Sequence, residues 1–246
     1  MIAKRKIQEL NDHLQAFPKA EDIFTKDQQW LKKHFLPLMS IDLAEINPDW
    51  AGQKVYMLCP FEANIGYMGG NTTEYHNEYT APNWVTFKLT DDNKFEFLGN
   101  EGFFERTKYH NWDFDSKEEK ELQEMVESYE QSKKNIIKYG TLVDTNYPEY
   151  QGKPNRVNYL NNLGGDIWSG NWQGSIDDGE YPKAFDMQLE YERQPSPDWI
   201  KISYQGNPFY FIADTASYDW CKGHIDGIIM LYEPVSRIVL FTFDYS

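Results

Sequence analysis

The spacing of apolar residues changes period several times along the chain, and each change predicts an element. Ile7, Leu10, Leu14 and Phe17 recur at intervals of three and four, which places them on one face of a helix that Pro18 ends. Thr25 with Gln28 has the capping-box spacing, and Trp30, Leu31 and Phe35 follow, so a second short helix is expected, closed by Pro37. These N-terminal helices, over about residues 2–37, are expected to pack on the rest of the fold. From Lys54 the pattern becomes that of strands. Lys54–Cys59 reads as a buried strand, and Trp84–Leu89, Asp91-Asp92-Asn93 and Lys94–Leu98 as a hairpin. A long helix follows: Ser116 and Glu119 form a capping box, Leu122, Met125, Val126, Tyr129, Ile136 and Ile137 supply an apolar face, and Gly140 stops it.

Residues 146–182 are dense in Gly, Asn, Pro and Trp and are expected to form long connections, the natural place for recognition. Strands return at Phe185–Tyr191, Trp199–Tyr204 and Pro208–Ile212. The strongest local pattern is the last hairpin, Ile228–Tyr232 and Arg237–Phe243 about a turn at Glu233–Ser236. Its apolar runs belong at the centre of a sheet. There is no internal repeat and no low-complexity linker. The fold class expected is α+β: a single domain over residues 1–246, with a large, mostly antiparallel β-sheet and peripheral helices.

Charge narrows the choice of partner. Lys plus Arg total 24 against 39 Asp plus Glu, a net charge of -15, in a chain of 40% hydrophobic residues that can bury a core. Such a field repels phosphate backbones and anionic lipid, so neither nucleic acid nor membrane is an expected partner and a cationic protein is. Two cysteines are too few for a disulfide framework, MIAKRKIQEL lacks an apolar signal-peptide core, and no run is long enough to span a bilayer. A cytoplasmic location is expected.

The sequence offers little catalytic chemistry. His13, His34, His76, His110 and His224 are isolated, with no HExxH, HxH or CxxC spacing, so no metal and no cofactor is expected. Gly69-Gly70 and Gly164-Gly165 lack the residues of a phosphate cradle and read as turns. Cys221 stands three residues before His224, yet a cysteine beside Trp220 reads as apolar filler. Asp177-Asp178-Gly179-Glu180 does not have the order of a calcium loop and reads as a solvated acidic turn.

From Leu163 onward the chain resembles the YwqG-like family, a group of bacterial domains of unknown function. The segment Leu163-Gly164-Gly165-Asp166-Ile167-Trp168, with Trp172-Gln173, is similar to that family's glycine, aromatic and glutamine segment; Met187-Gln188-Leu189-Glu190 to its glutamine-bearing strand; and Gly223–Tyr232 to its Gly-Asp-x-Gly strand start. Here His224 and Ile225 separate Gly223 from Asp226, a wider spacing than the family's, and the amino-terminal half carries no match. The resemblance implies an α+β fold with a large sheet, and members that look like immunity proteins beside bacterial toxins.

These readings converge on a non-enzymatic binding protein, an immunity protein that neutralises a basic toxin by occlusion. Its expected contact residues are the exposed-loop group Asp166, Trp168, Trp172, Asp177, Asp178 and Glu180. The alternative is a hydrolase that uses paired carboxylates on a small or carbohydrate substrate, marked by a pocket with converging carboxylates or by one carboxyl with a strongly perturbed pKa.

Overall fold

The structure is a computed structural model that describes residues 2–61, 68–105, 116–190 and 199–245. Its strands are β1 (Lys4–Ile7), β2 (Leu14–Ala16), β3 (Phe35–Asp42), β4 (Lys54–Pro60), β5 (Trp84–Leu89), β6 (Phe95–Phe97), β7 (Glu149–Tyr150), β8 (Lys153–Pro154), β9 (Leu160–Leu163), β10 (Asp186–Glu190), β11 (Trp199–Tyr204), β12 (Asn207–Pro208), β13 (Tyr210–Thr215), β14 (Gly227–Glu233) and β15 (Ile238–Asp244). Seven of them form an antiparallel sheet in the order β1-β9-β13-β14-β15-β5-β6, which draws strands from both halves of the chain.

Alternation along the central strands explains their continuous apolar composition. Met230, Tyr232, Val239 and Phe241 enter one buried cluster, and Ile229, Leu231, Ile238 and Leu240 enter the other. The first cluster is closed by the small sheet β2-β3-β4, through Met39, Ile41, Val55 and Met57, and by the long helix Ser116–Tyr139, through Leu122, Met125 and Tyr129. The second is closed by the sheet β10-β11-β12, through Met187, Ile200 and Ile202, with Trp84, Trp172 and Ile176 beside it. The seven-stranded sheet is therefore the middle layer, with both faces dry, and this is why β14 and β15 show no polar face.

The hairpin turns as the sequence predicts. The Glu233 carboxylate accepts the Val235 and Ser236 N–H groups at 2.6 and 2.7 Å, and β14 and β15 pair from Gly227↔Asp244 to Glu233↔Ile238. The long helix also matches, ending at Gly140 with φ +69°; its Ser116 side chain lies outside the described residues. Val126 and Ile137, assigned to its buried face, are exposed.

The N-terminal region departs from its pattern. The expected helix on Ile7, Leu10, Leu14 and Phe17 is instead β1, a turn and β2: β1 joins the edge of the large sheet at β9, and β2 pairs with β3. The short helix after Thr25 exists as a 3-10 helix, Lys26–Lys33, but Thr25 makes no side-chain cap. Pro37 does not end it. Pro37 lies inside β3, where the register with β4 shifts between Pro37 and Met39; a bulge tolerates a residue that cannot donate to the ladder.

Candidate functional site

The connection after β9 carries all six expected contact residues, and the structure divides them into two environments. Gly164, at φ +66°, starts the turn; a Cβ there would lie 2.0 Å from the Ile2 carbonyl oxygen, so only glycine lets the loop pass this close to the chain's beginning. Beyond it, Asp166 is exposed and the Trp168 ring leans on Gly170 and Gly227, where Cβ atoms would meet the indole at 2.5 and 3.1 Å. Asp166 and Trp168 line a cleft of about 250 Å³ with Lys4, Arg5, Asn162 and Gly165.

Behind this cleft is a buried carboxyl. Asp214 is 4% exposed and accepts the Asn162 amide at 2.8 Å. Burial raises its pKa to about 6, against the lowering effect of the Asn162 bonds. The Trp168 indole N–H lowers it as well, but from outside hydrogen-bonding geometry, and is itself buried with no acceptor in bonding range.

The second environment begins at Trp172. The Asp244 carboxylate accepts its backbone N–H at 3.0 Å, and the Asn171 amide donates to the Tyr245 carbonyl at 2.7 Å, so the loop is tied to the end of β15. The Trp172 ring meets Trp84 edge-on at 5.8 Å and is 1% exposed; it belongs to the core and not to an exposed loop. The Trp84 indole donates to Ser175 Oγ at 2.9 Å, which fixes the short helix Gly174–Asp177 over the sheet. That helix ends through Gly179 at φ +73°, with Glu180 N–H returning to the Ser175 carbonyl at 2.7 Å. Asp177, Asp178 and Glu180 are thereby held out in solvent on a rigid backbone. The Glu78 carbonyl accepts Ala184 N–H at 2.8 Å, which anchors the chain just after this turn, and Lys183 donates to the Gly179 carbonyl at 2.5 Å.

Among the described residues no group of three or more His, Cys, Asp or Glu is placed to hold a metal ion. Among the described residues no helix is long and apolar enough to cross a membrane. Cys221 is fully buried and its thiol points to the Ser217 carbonyl at 3.5 Å, as apolar filler would. His110 lies outside the described residues. One carboxyl that the sequence did not single out stands apart. Asp219, beside Trp220, is raised to about 7 by burial and then by the negative charge of Asp144.

Comparison of the chain with protein-family models, with curated proteins and with solved structures finds no match.

Proposed function

We propose that the protein works by binding a basic protein partner, as an immunity protein does when it occludes a toxin. The observation that carries this reading is the turn Asp177-Asp178-Gly179-Glu180: three exposed carboxylates held on a backbone already fixed by Trp172, Trp84 and Ser175. A preformed charged surface loses little conformational entropy on association and steers an oppositely charged partner. The chain's net charge of -15 extends the same field. Asp166, with Trp168 behind it, forms a second contact area. The toxin half of the reading comes from the resemblance to the YwqG-like family, and the basic half from the surface. Co-expression with the product of an adjacent gene tests both: a stable complex, and growth restored by this chain and lost with an Asp177→Asn, Asp178→Asn, Glu180→Gln triple variant, are the expected results. Restoration by the triple variant at wild-type strength overturns the acidic surface, and absence of any complex overturns the occlusion reading.

Asp219 favours a second reading, a hydrolase. A carboxyl raised to about 7 is about half protonated at neutral pH, so a substantial fraction is in the state a general acid needs. Hydrolysis of nitrophenyl glycosides or esters by the wild type and not by Asp219→Asn supports it; equal rates remove it.

A further inference from the structure

The two edges of the seven-stranded sheet are finished differently. At β6 the Gln28 side chain accepts the Phe97 N–H at 2.6 Å and donates to the Phe97 carbonyl at 3.0 Å, and Thr25 N–H donates to the Phe95 carbonyl at 3.1 Å. That edge is closed. At the opposite edge, Lys4, Arg5 and Lys6 of β1 make no backbone bond among the described residues other than those to β9.

This open edge is a run of three exposed cations in an acidic chain. Lys4 pairs with Glu45 at 2.5 Å, whereas no carboxylate among the described residues lies within ion-pair distance of Arg5, Lys6 or Arg156. Clefts flank the strand. Arg5 lines the one shared with Asp166 and Trp168, about 250 Å³, and Lys6 lines another of about 350 Å³ with Arg156, Gln8 and Glu9. The carboxylates among the residues lining these two clefts are Glu9, Asp166 and Glu45, and Glu45 is set against Lys4.

Lysines on an edge deter apolar strands from adding to it. The same charges favour a strand that brings carboxylates. Net charge opposes this only at long range: an added strand lies about 4.8 Å from β1. More distant acidic groups are screened over a Debye length of about 10 Å at 0.1 M salt.

We propose that the β1 edge docks an extended acidic segment of another protein, which adds as an outer strand on Lys4 and Arg5 and sends its carboxylates alternately toward Arg5 in one cleft and toward Lys6 and Arg156 in the other. The site shares Asp166 and Trp168 with the second contact area proposed above but is distinct from the acidic turn, and it does not depend on the function assigned to that turn. Lys6, at φ +53°, turns the chain, so the ladder is short and charge supplies much of the affinity.

The test uses the full chain and a fluorescein-labelled ten-residue peptide alternating glutamate with valine, followed by polarisation at low salt. Its comparators are the same peptide N-methylated at every second residue, which removes the ladder donors on one edge, and a pentaglutamate of equal charge. The expected result is binding by the alternating peptide, weakened at least about tenfold by N-methylation and by Arg5→Glu or Lys6→Glu, since each removes a charge-assisted bond or ladder bonds. Arg156→Ala, at an exposed side chain, gives a smaller loss and guards against misfolding of the strand variants. Amide exchange at Arg5, whose backbone faces away from β9, should slow in the complex. Equal binding of pentaglutamate, or indifference to N-methylation, reduces the site to charge attraction and overturns strand addition. So does an absence of binding, or a dimer in sedimentation whose β1 amides are already protected.

Discussion

The Trp172 indole and the Asp178 carboxylate are six positions apart, yet one is 1% exposed and the other stands in solvent. Truncating a buried aromatic removes both transfer energy and packing, so Trp172→Ala should cost about 3–5 kcal/mol in urea unfolding. Asp178→Asn should stay within about 0.5 kcal/mol. If the tryptophan variant unfolds like the wild type, the core assignment fails. At Asp214 the expectation concerns pH. A folded-state pKa of about 6 against the ordinary value of 3.8 means that the fold favours the protonated carboxyl. Stability from this group is complete below 3.8, falls as pH rises from there through 6, and is flat above. The loss is at most about 3 kcal/mol, at 1.36 kcal/mol for each unit of pKa. Asp214→Asn keeps an acceptor for the Asn162 amide and should flatten the stability curve between pH 4 and 6. Parallel curves for the two proteins would show that the carboxyl is not strained by burial.

Side chains finish some of the elements here. Gln28 has the spacing of a capping residue to Thr25, but its amide replaces a strand neighbour at β6 instead. Gln28→Ala should therefore cost about 1–3 kcal/mol and speed amide exchange at Phe97, with little change in helix content. Unchanged exchange at Phe97 would mean that the edge is closed without Gln28, by the Thr25 bond to Phe95. Gly164→Ala sets a left-handed backbone and a 2.0 Å approach to Ile2 O against one another, so it should destabilise by more than the roughly 1 kcal/mol of conformational cost alone. A melting curve equal to wild type would show that residues 2–7 can move away from the loop.

For the whole molecule, charge is the property that acts at a distance. If the acidic turn meets a basic partner, the association rate should fall as the Debye length shrinks from about 10 Å at 0.1 M salt to 3 Å at 1 M, while dissociation changes less. The Asp177→Asn, Asp178→Asn, Glu180→Gln variant should slow association with little effect on dissociation. Surface plasmon resonance with the co-expressed partner separates the two rates, and an association rate indifferent to both salt and the triple variant rules out steering by this surface.

What the sequence by itself determined are the elements whose local pattern and final environment agree. The runs Trp84–Leu89 and Trp199–Tyr204, the last hairpin and the helix ending at Gly140 were legible because apolar composition, turn residues and period all pointed one way. The acidic turn was legible as well, since Gly179 and its neighbours make only a short helix end. Tertiary structure decided the rest. Ile7 and Leu14 have helical spacing, but pairing with β9 and β3 overrides a weak local preference and makes them strand residues. β9 has the polar sequence Leu-Asn-Asn-Leu, and becomes a strand because Asn162 faces the Asp214 carboxyl across the sheet. Trp168 and Trp172 look alike in the chain; the space left at Gly170 and Gly227 sets one against a cleft, and Trp84 draws the other into the core. Burial depends on what arrives from the far end of the sequence, and a local pattern carries no record of that.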